Sequence, residues 1–407
     1  MRLGLRTLPP IGGRIAQRAV LGSLRDAFRK DGESQGLSRL MTQLTGFRHC
    51  ILTDSGRSAL SVIFMSLGSL RQGRDEVIIP AYTSYSVPAA VVRAGFRVRL
   101  CDVEIETLGL SPKELERVIT PRTLCVVPNH LYGIPCQIKA VCAVAQDYGI
   151  PVVEDAAQAM EFICKDHPGD KSVDATMYSF SRGKTIPGAG GGLIGTNDDA
   201  LAAQCRRIMI GKLSEDPHSS RLGLQHAIET AFMSIFIRPS LYWLPDSLPF
   251  LKLGASIYDP TFPIEPMSRF QEALAVRLLS GLEELQDVRK ANAVRLGLAL
   301  AELKSVCAIC PRESEACAPL RLPVLIQDQS MRNKVLTELQ IRGLGVTGGY
   351  PSPLSEIPGL KPSLADSDGD FPIAKQISRH LVTLPTHPWV NDRDIKQIVE
   401  VFQRWVR

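Results

Sequence analysis

The chain has 407 residues, 44% hydrophobic and 22% charged, with a formal net charge of +5. That length suffices for a large and a smaller domain, each with its own core, and nothing in the composition reads as disordered or repetitive. The positive residues are too few and too dispersed to argue for nucleic acid, although anionic substrates would be welcome.

The first residues, MRLGLRTLPPIGGRIAQRAV, carry arginines and prolines where a signal peptide needs an apolar core. Most cysteines lie within apolar patterns such as LCVV and AVCAVA, where Cys acts as a small hydrophobe. The compartment therefore reads as cytoplasm. Cys307, Cys310 and Cys317 form one cluster without a nearby His, and plain thiols outweigh a metal site there.

Along the chain, β-rich runs alternate with helical patterns. SALSVIFMSLGSL after Gly56 reads as a helix, VIIPAY ending at Tyr82 as a strand, and SVPAAVVRAG as the next helix. RVRLCDV (97–103), TLCVVPNHLY (123–132) and PVVEDAA (151–157) follow as strands, separated by the helical SPKELERVI and QIKAVCAVAQDYG. ATMYSFS (175–181) and GGLIGTN (191–197) complete the set. This alternation predicts an α/β fold with a large, doubly wound, mostly parallel sheet and helices on both faces. Its strands are apolar on both sides, as a buried parallel sheet requires. Ligands of such sheets collect at the carboxyl ends of the strands.

An irregular stretch, 213–265, comes next. Within it AFMSIFIRPSLYWLPDSLPFLKLG (231–254) is interrupted by Arg238, Asp246, Lys252 and prolines, so it does not read as a membrane span. It packs on the domain or a partner subunit, or it touches membrane or a lipid-linked substrate. A single long helical pattern from Met267 then leads into a smaller α+β domain. That domain holds CAPLRLPVLI, a helix near NKVLTELQIRGL, the loop GGYPSPL and a closing helix DRDIKQIVEVFQRWV. The division expected is 1–265 and 266–407.

Four features fall at strand ends. In DSGRSAL, Ser55 and Gly56 precede a helix whose free N–H groups suit a phosphate, though such a pair is also an ordinary N-cap. In VVEDAAQA, Glu154 and Asp155 end an apolar strand; a buried acid there either caps the next helix or keeps a heterocycle nitrogen protonated, with Gln158 one turn on. In YSFSRGKTIPGAGGG, Ser179 and Ser181 offer hydroxyls, and Lys184 sits in a turn rich in glycines that permit close backbone packing around a ligand. A desolvated amine in an electropositive site has a lowered pKa and attacks an aldehyde. In PNHLYG, His130 and Tyr132 are either site residues or satisfied core residues.

The order of these features resembles the DegT/DnrJ family of sugar aminotransferases, which use pyridoxal 5'-phosphate (PLP) and have the aspartate-aminotransferase fold (fold type I). The resemblance runs from about Phe47 to Asn197 and resumes at FPIAKQISRHLVTLPTHPWVNDRDIKQIV (371–399). It implies that Lys184 is the Schiff-base lysine and proton carrier, Asp155 the acid on the pyridine nitrogen, and Gln158 the residue near the ring hydroxyl. Ser179, Gly56 and Arg57 are implied for the phosphate. It implies transfer of an amino group from glutamate to a nucleotide-linked keto-sugar, in polysaccharide or natural-product biosynthesis, by a homodimer.

Departures from the family pattern are visible. Arg57 stands where the family has Thr. Ser84 occupies the usual ring-stacking position, with Tyr85 beside it as the candidate. Ile264-Glu265-Pro266-Met267-Ser268 replaces a segment that reaches across a dimer, and Ser355 stands where relatives often carry His. Rival readings are an enzyme acting on a non-sugar ketone or lipid-linked substrate, and a PLP-binding regulatory protein without turnover.

Overall fold

The computed structural model describes residues 6–13, 15–27, 36–160, 172–213, 219–248, 256–310 and 317–406. Seven strands form the large sheet: β1 (His49–Thr53), β2 (Glu76–Pro80), β3 (Arg97–Cys101), β4 (Thr123–Val126), β5 (Val153–Asp155), β6 (Ala175–Ser179) and β7 (Gly192–Thr196). β3-β2-β4 and β5-β6 pair in parallel, whereas β7 runs antiparallel between β6 and β1. Parallel bridges Val126–Val152 and Asn129–Asp155 join the two halves.

The pleat sends alternate residues to opposite cores. On β2, Val77 and Ile79 pack among the helices Gly56–Leu70 and Ser86–Arg93, while Ile78 joins the core under the helices Pro112–Val118 and Ile138–Asp147. This two-sided burial bears out the doubly wound, mostly parallel sheet.

Three antiparallel strands, β8 (Val306–Ala308), β9 (Arg321–Ile326) and β10 (Leu381–Pro385), make a second sheet. Leu322, Val324, Ile326, Val382 and Leu384 bury one of its faces with the helices Leu282–Leu300, Gln329–Ile341 and Asp392–Trp405. The chain start joins this core: Leu8 is buried in it, and Arg6 pairs with Asp394 at 2.9 Å.

Three expectations need correction. The stretch 213–265 is not irregular throughout, since Ser219–Phe236 and Trp243–Asp246 are helical. The pattern from Met267 is two helices, Arg269–Leu279 and Leu282–Leu300, parted at Ser280–Gly281. In the run 123–132 the regular strand ends at Val126, a lone bridge from Asn129 to Asp155 follows, and the end turns through a 3-10 helix at Leu131–Gly133. Among the described residues no helix is long and apolar enough to cross a membrane, and no cluster of three or more His, Cys, Asp or Glu side chains suits a metal ion.

Candidate active site

The ends of β4, β5 and β6 meet at one rim, and the acids of β5 divide there. Glu154 turns inward: one oxygen accepts from Thr176 at 2.8 Å, and the other lies 2.9 Å from His130 Nε2. His130 Nδ1 accepts the N–H of Cys136 at 3.1 Å, so Nε2 carries the ring proton and donates it to Glu154. His130 is thus a satisfied core residue.

Asp155 points the other way and is 8% exposed. Its Oδ1 accepts the N–H of Ala157 at 3.0 Å, and its backbone N–H bonds Pro128 O at 2.9 Å. Oδ2 takes no hydrogen bond among the described residues. Burial pushes the carboxyl up; the nearby Lys184 ammonium and the Ala157 N–H oppose that shift.

Lys184 leaves β6 by a turn in which its N–H bonds Ser181 O at 3.0 Å. The residue is half-buried by surface, yet its amine is desolvated enough that burial lowers its pKa, while the Asp155 charge partly restores it. The two side chains therefore act on each other across the rim.

Gln158 has its amide orientation fixed by chemistry. The backbone N–H of Tyr132, which can only donate, lies 2.7 Å from Oε1. Nε2 is thus turned toward the pocket, where one of its two hydrogens reaches the Tyr350 hydroxyl at 3.3 Å and the other is left for a ligand oxygen. Tyr132 holds this position at φ 58°, in the left-handed region a bulky residue seldom occupies.

The helix Gly56–Leu70 starts at the same rim, capped by Ser55, whose hydroxyl accepts the Ser58 N–H. A Cβ on Gly56 would fall 3.0 Å from Met177 Sδ and 3.2 Å from Ser179 Oγ. Only glycine keeps the cradle between helix start and Ser179 open, and there the unsatisfied first-turn N–H groups and a hydroxyl face the same space. Such a helix start beside a hydroxyl suits an anion, and with the Asp155 carboxylate, the Gln158 amide and the Lys184 amine at the same rim the residues fit a phosphorylated, protonatable ring.

The glycines after Lys184 do something other than surround a ligand. Gly191 donates to Asp54 O at 2.7 Å, and a Cβ on Gly192 would meet Ser55 O at 2.3 Å. They let the loop lie against the 54–56 turn. Glu265 braces the same turn: its carbonyl accepts the Asp54 N–H at 2.9 Å, and its N–H donates to Asp54 Oδ1 at 3.1 Å. The segment 264–268 thus folds onto its own chain's turn.

Two expected site residues have side-chain partners of their own. The Arg57 guanidinium lies 4.4 Å over the Phe262 ring, leaving only its backbone at the cradle. Tyr85 stacks on Tyr350, with ring centroids 6.0 Å apart, and its hydroxyl lies 3.0 Å from Ser352 Oγ. Conversely, Asn129 and Tyr350 enter the rim although neither was singled out in the sequence. Asn129 Nδ2 bonds Thr83 at 2.9 Å, and its buried Oδ1 has no partner among the described residues. Its place beside His130 in PNHLYG was the available signal.

Several known proteins are similar to this chain. A UDP-2-acetamido-2-deoxy-3-oxo-D-glucuronate aminotransferase of Pseudomonas aeruginosa is 28% identical over 88% of this chain and 86% of its own. The spore coat polysaccharide biosynthesis protein SpsC of Bacillus subtilis is 26% identical over 98% and 96%. Among solved structures, Helicobacter pylori PseC, an aminotransferase of pseudoaminic acid biosynthesis, superposes with a TM-score of 0.75 at 16% identity, covering 100% of this chain and 99% of that one. A putative sugar aminotransferase of Streptococcus pneumoniae, in its PLP form, gives 0.76 at 18% identity over 98% and 100%. The sequence profile of one family matches residues 16–225 and 265–403, and on that match the chain belongs to the DegT/DnrJ/EryC1/StrS aminotransferase family.

Proposed function

We propose that the protein moves an amino group from an amino acid, glutamate by family analogy, to a keto-sugar linked to a nucleotide, in polysaccharide or natural-product biosynthesis. The Pseudomonas aeruginosa relative is an aminotransferase of a UDP-linked keto-sugar, and the Bacillus subtilis one is a spore coat polysaccharide biosynthesis protein. The cofactor is PLP, which when bound supplies an aldehyde for covalent attachment and a cationic ring that stores electrons.

Each rim residue then has one task. Asp155 Oδ2 holds a proton on the ring nitrogen, the free valence of a carboxylate whose other oxygen is already bonded. Gln158 Nε2 donates to the ring oxygen. The first-turn N–H groups at Gly56 and Arg57, with the Ser179 hydroxyl, bind the phosphate. Lys184, its pKa lowered by burial, acts first as nucleophile and then as carrier of the proton taken from and returned to the substrate carbon.

The reading is supported by the convergence at one rim of Asp155, whose Oδ1 is held by the Ala157 N–H, Gln158, whose Oε1 is held by the Tyr132 N–H, and Lys184, whose charge and that of Asp155 act on each other. The proposal includes a division near residue 265, a homodimer and a cytoplasmic setting. The exposed apolar residues Ile228, Phe232 and Trp243 suit a partner subunit or, less well, a membrane surface. The described cysteines all remain thiols, which suits a reducing compartment.

The test loads the full chain with PLP, reduces it with borohydride and maps the modified peptide. It then offers glutamate with UDP- and TDP-linked keto-sugars and weighs the products by mass spectrometry. Cofactor trapped on Lys184 and a sugar amine are expected. No trapped cofactor sinks the reading outright; cofactor on Lys184 with no amine product from any keto-sugar removes the sugar substrate.

A further inference from the structure

Cys307, Cys310 and Cys317 have no part in the roles above, and the fold sorts them. Cys310 follows β8 and Cys317 precedes β9; the Ile309 N–H, bonded to Pro323 O at 2.9 Å, extends the pairing of these strands as far as Cys310. Ile309 and Cys317 lie in one buried core together with Tyr132. The two thiols meet there, Cys317 being hydrogen-bonded to Cys310. Cys307, by contrast, stands within β8 and is exposed.

The partners differ in a way that suits two roles. Cys310 is half-buried and reaches solvent, whereas Cys317 is 4% exposed. Cys317 carries one S–H proton, and its sulfur also lies 3.7 Å from Gly133 O. Donated to Cys310, that proton favours a thiolate: the bond holds the Cys310 pKa down to about 7, against burial, which pushes it up. A partly exposed thiolate beside a second, buried thiol is the arrangement of a redox-sensitive cysteine and its resolving partner.

We infer that Cys310 and Cys317 form a reversible redox site, with Cys310 the nucleophile toward a peroxide and Cys317 the thiol that resolves it. The Cys310 thiolate attacks one oxygen of hydrogen peroxide. The O–O bond breaks, the sulfur keeps that oxygen as a sulfenic acid, and the other oxygen leaves as hydroxide, which takes up a proton to become water. The Cys317 sulfur then attacks the Cys310 sulfur: the S–S bond forms, the S–O bond breaks, and the thiol proton leaves with the hydroxyl as a second water. Two thiols lose two electrons and one peroxide gains them. The disulfide has no S–H, so Gly133 O loses its donor. Gly133 follows Tyr132, whose N–H fixes Gln158, and a Cβ on Gly133 would fall 3.0 Å from Gln158 O. Oxidation thus falls beside the rim, whatever ligand the rim holds.

The experiment treats the full-length protein with hydrogen peroxide, caps the remaining thiols with iodoacetamide and maps the peptides by mass spectrometry. A link between Cys310 and Cys317, lighter than the dithiol by two hydrogens and opened again by dithiothreitol, is expected. Cys317→Ser should instead leave a sulfenic acid on Cys310 that dimedone captures, and Cys307→Ser should leave the link in place. Without peroxide, alkylation of Cys310 should reach half its limiting rate near pH 7, whereas an ordinary thiol does so at about pH 8.5. Absence of the link, a link through Cys307 or between two chains, or a Cys317→Ser protein whose Cys310 dimedone fails to label overturns the inference. So does a half-maximum for Cys310 at the ordinary value of about pH 8.5.

Discussion

The two sides of β5 carry adjacent acids in opposite conditions. On the inner side Glu154, His130 and Thr176 use up one another's donors and acceptors, and the group is closed. On the outer side Asp155, Lys184 and Gln158 each keep one capacity unspent: an oxygen, an amine and an N–H. Buried polar groups are normally paired because leaving them unpaired costs about 1–3 kcal/mol. Here the three unspent groups stand at one partly exposed rim, where a single ligand can engage them together. Position on the strand does not separate the two acids; the unsatisfied valence does.

The sharpest way to break that comparison is to exchange which acid is altered. Asp155→Asn keeps the shape and the bond from Ala157, since the amide oxygen still accepts, but removes the charge that holds a ring proton. Turnover of the keto-sugar should fall about 10²–10³-fold with little change in the thermal midpoint. A variant within threefold of wild type in steady-state kinetics would end the proton-holding role.

Glu154→Ala should show the reverse. It strands the buried Nε2–H of His130 and the hydroxyl of Thr176, at a cost of about 3 kcal/mol, while the rate per folded molecule changes much less. Urea unfolding of the cofactor-free chain reads the stability, and active-site titration normalises the rate. If stability stays put and the rate collapses, the division between a closed inner side and an open outer side is wrong.

The central strands were legible because a sheet buried on both faces demands continuous apolar runs, and the reactive residues stand where those runs end. β1 was not, since HCILT lies at the sheet edge and is only half-buried. The helix Ser219–Phe236 escaped for a related reason. It exposes Leu224, Ile228 and Phe232 while burying Ala227, Thr230 and Ser234, so its hydrophobic pattern does not mark an inner face. The break at Ser280–Gly281 hid inside an unbroken helical periodicity. Tyr350 lay beyond reach altogether: its contacts with Tyr82 and Tyr85 join positions more than 260 residues apart, and local pattern carries no trace of them.

The smallest expected effect concerns Arg57, where side chain and backbone part company. A guanidinium next to the cradle looks like the natural phosphate ligand, because bidentate contacts to phosphate are what Arg does best. Here it lies instead over Phe262, and its charge acts on Asp54 and Asp259. The cradle needs only the N–H of residue 57, which any non-proline residue supplies. Arg57→Ala should therefore lower stability by about 0.5–1 kcal/mol, the size of an exposed cation–π contact, and leave PLP affinity within about twofold. A loss of tenfold or more in the PLP titration would mean that the guanidinium swings to the phosphate once the cofactor arrives. The outer side of the rim would then include a mobile cation, and Arg57 would belong with Asp155 and Lys184 rather than with the helix surface.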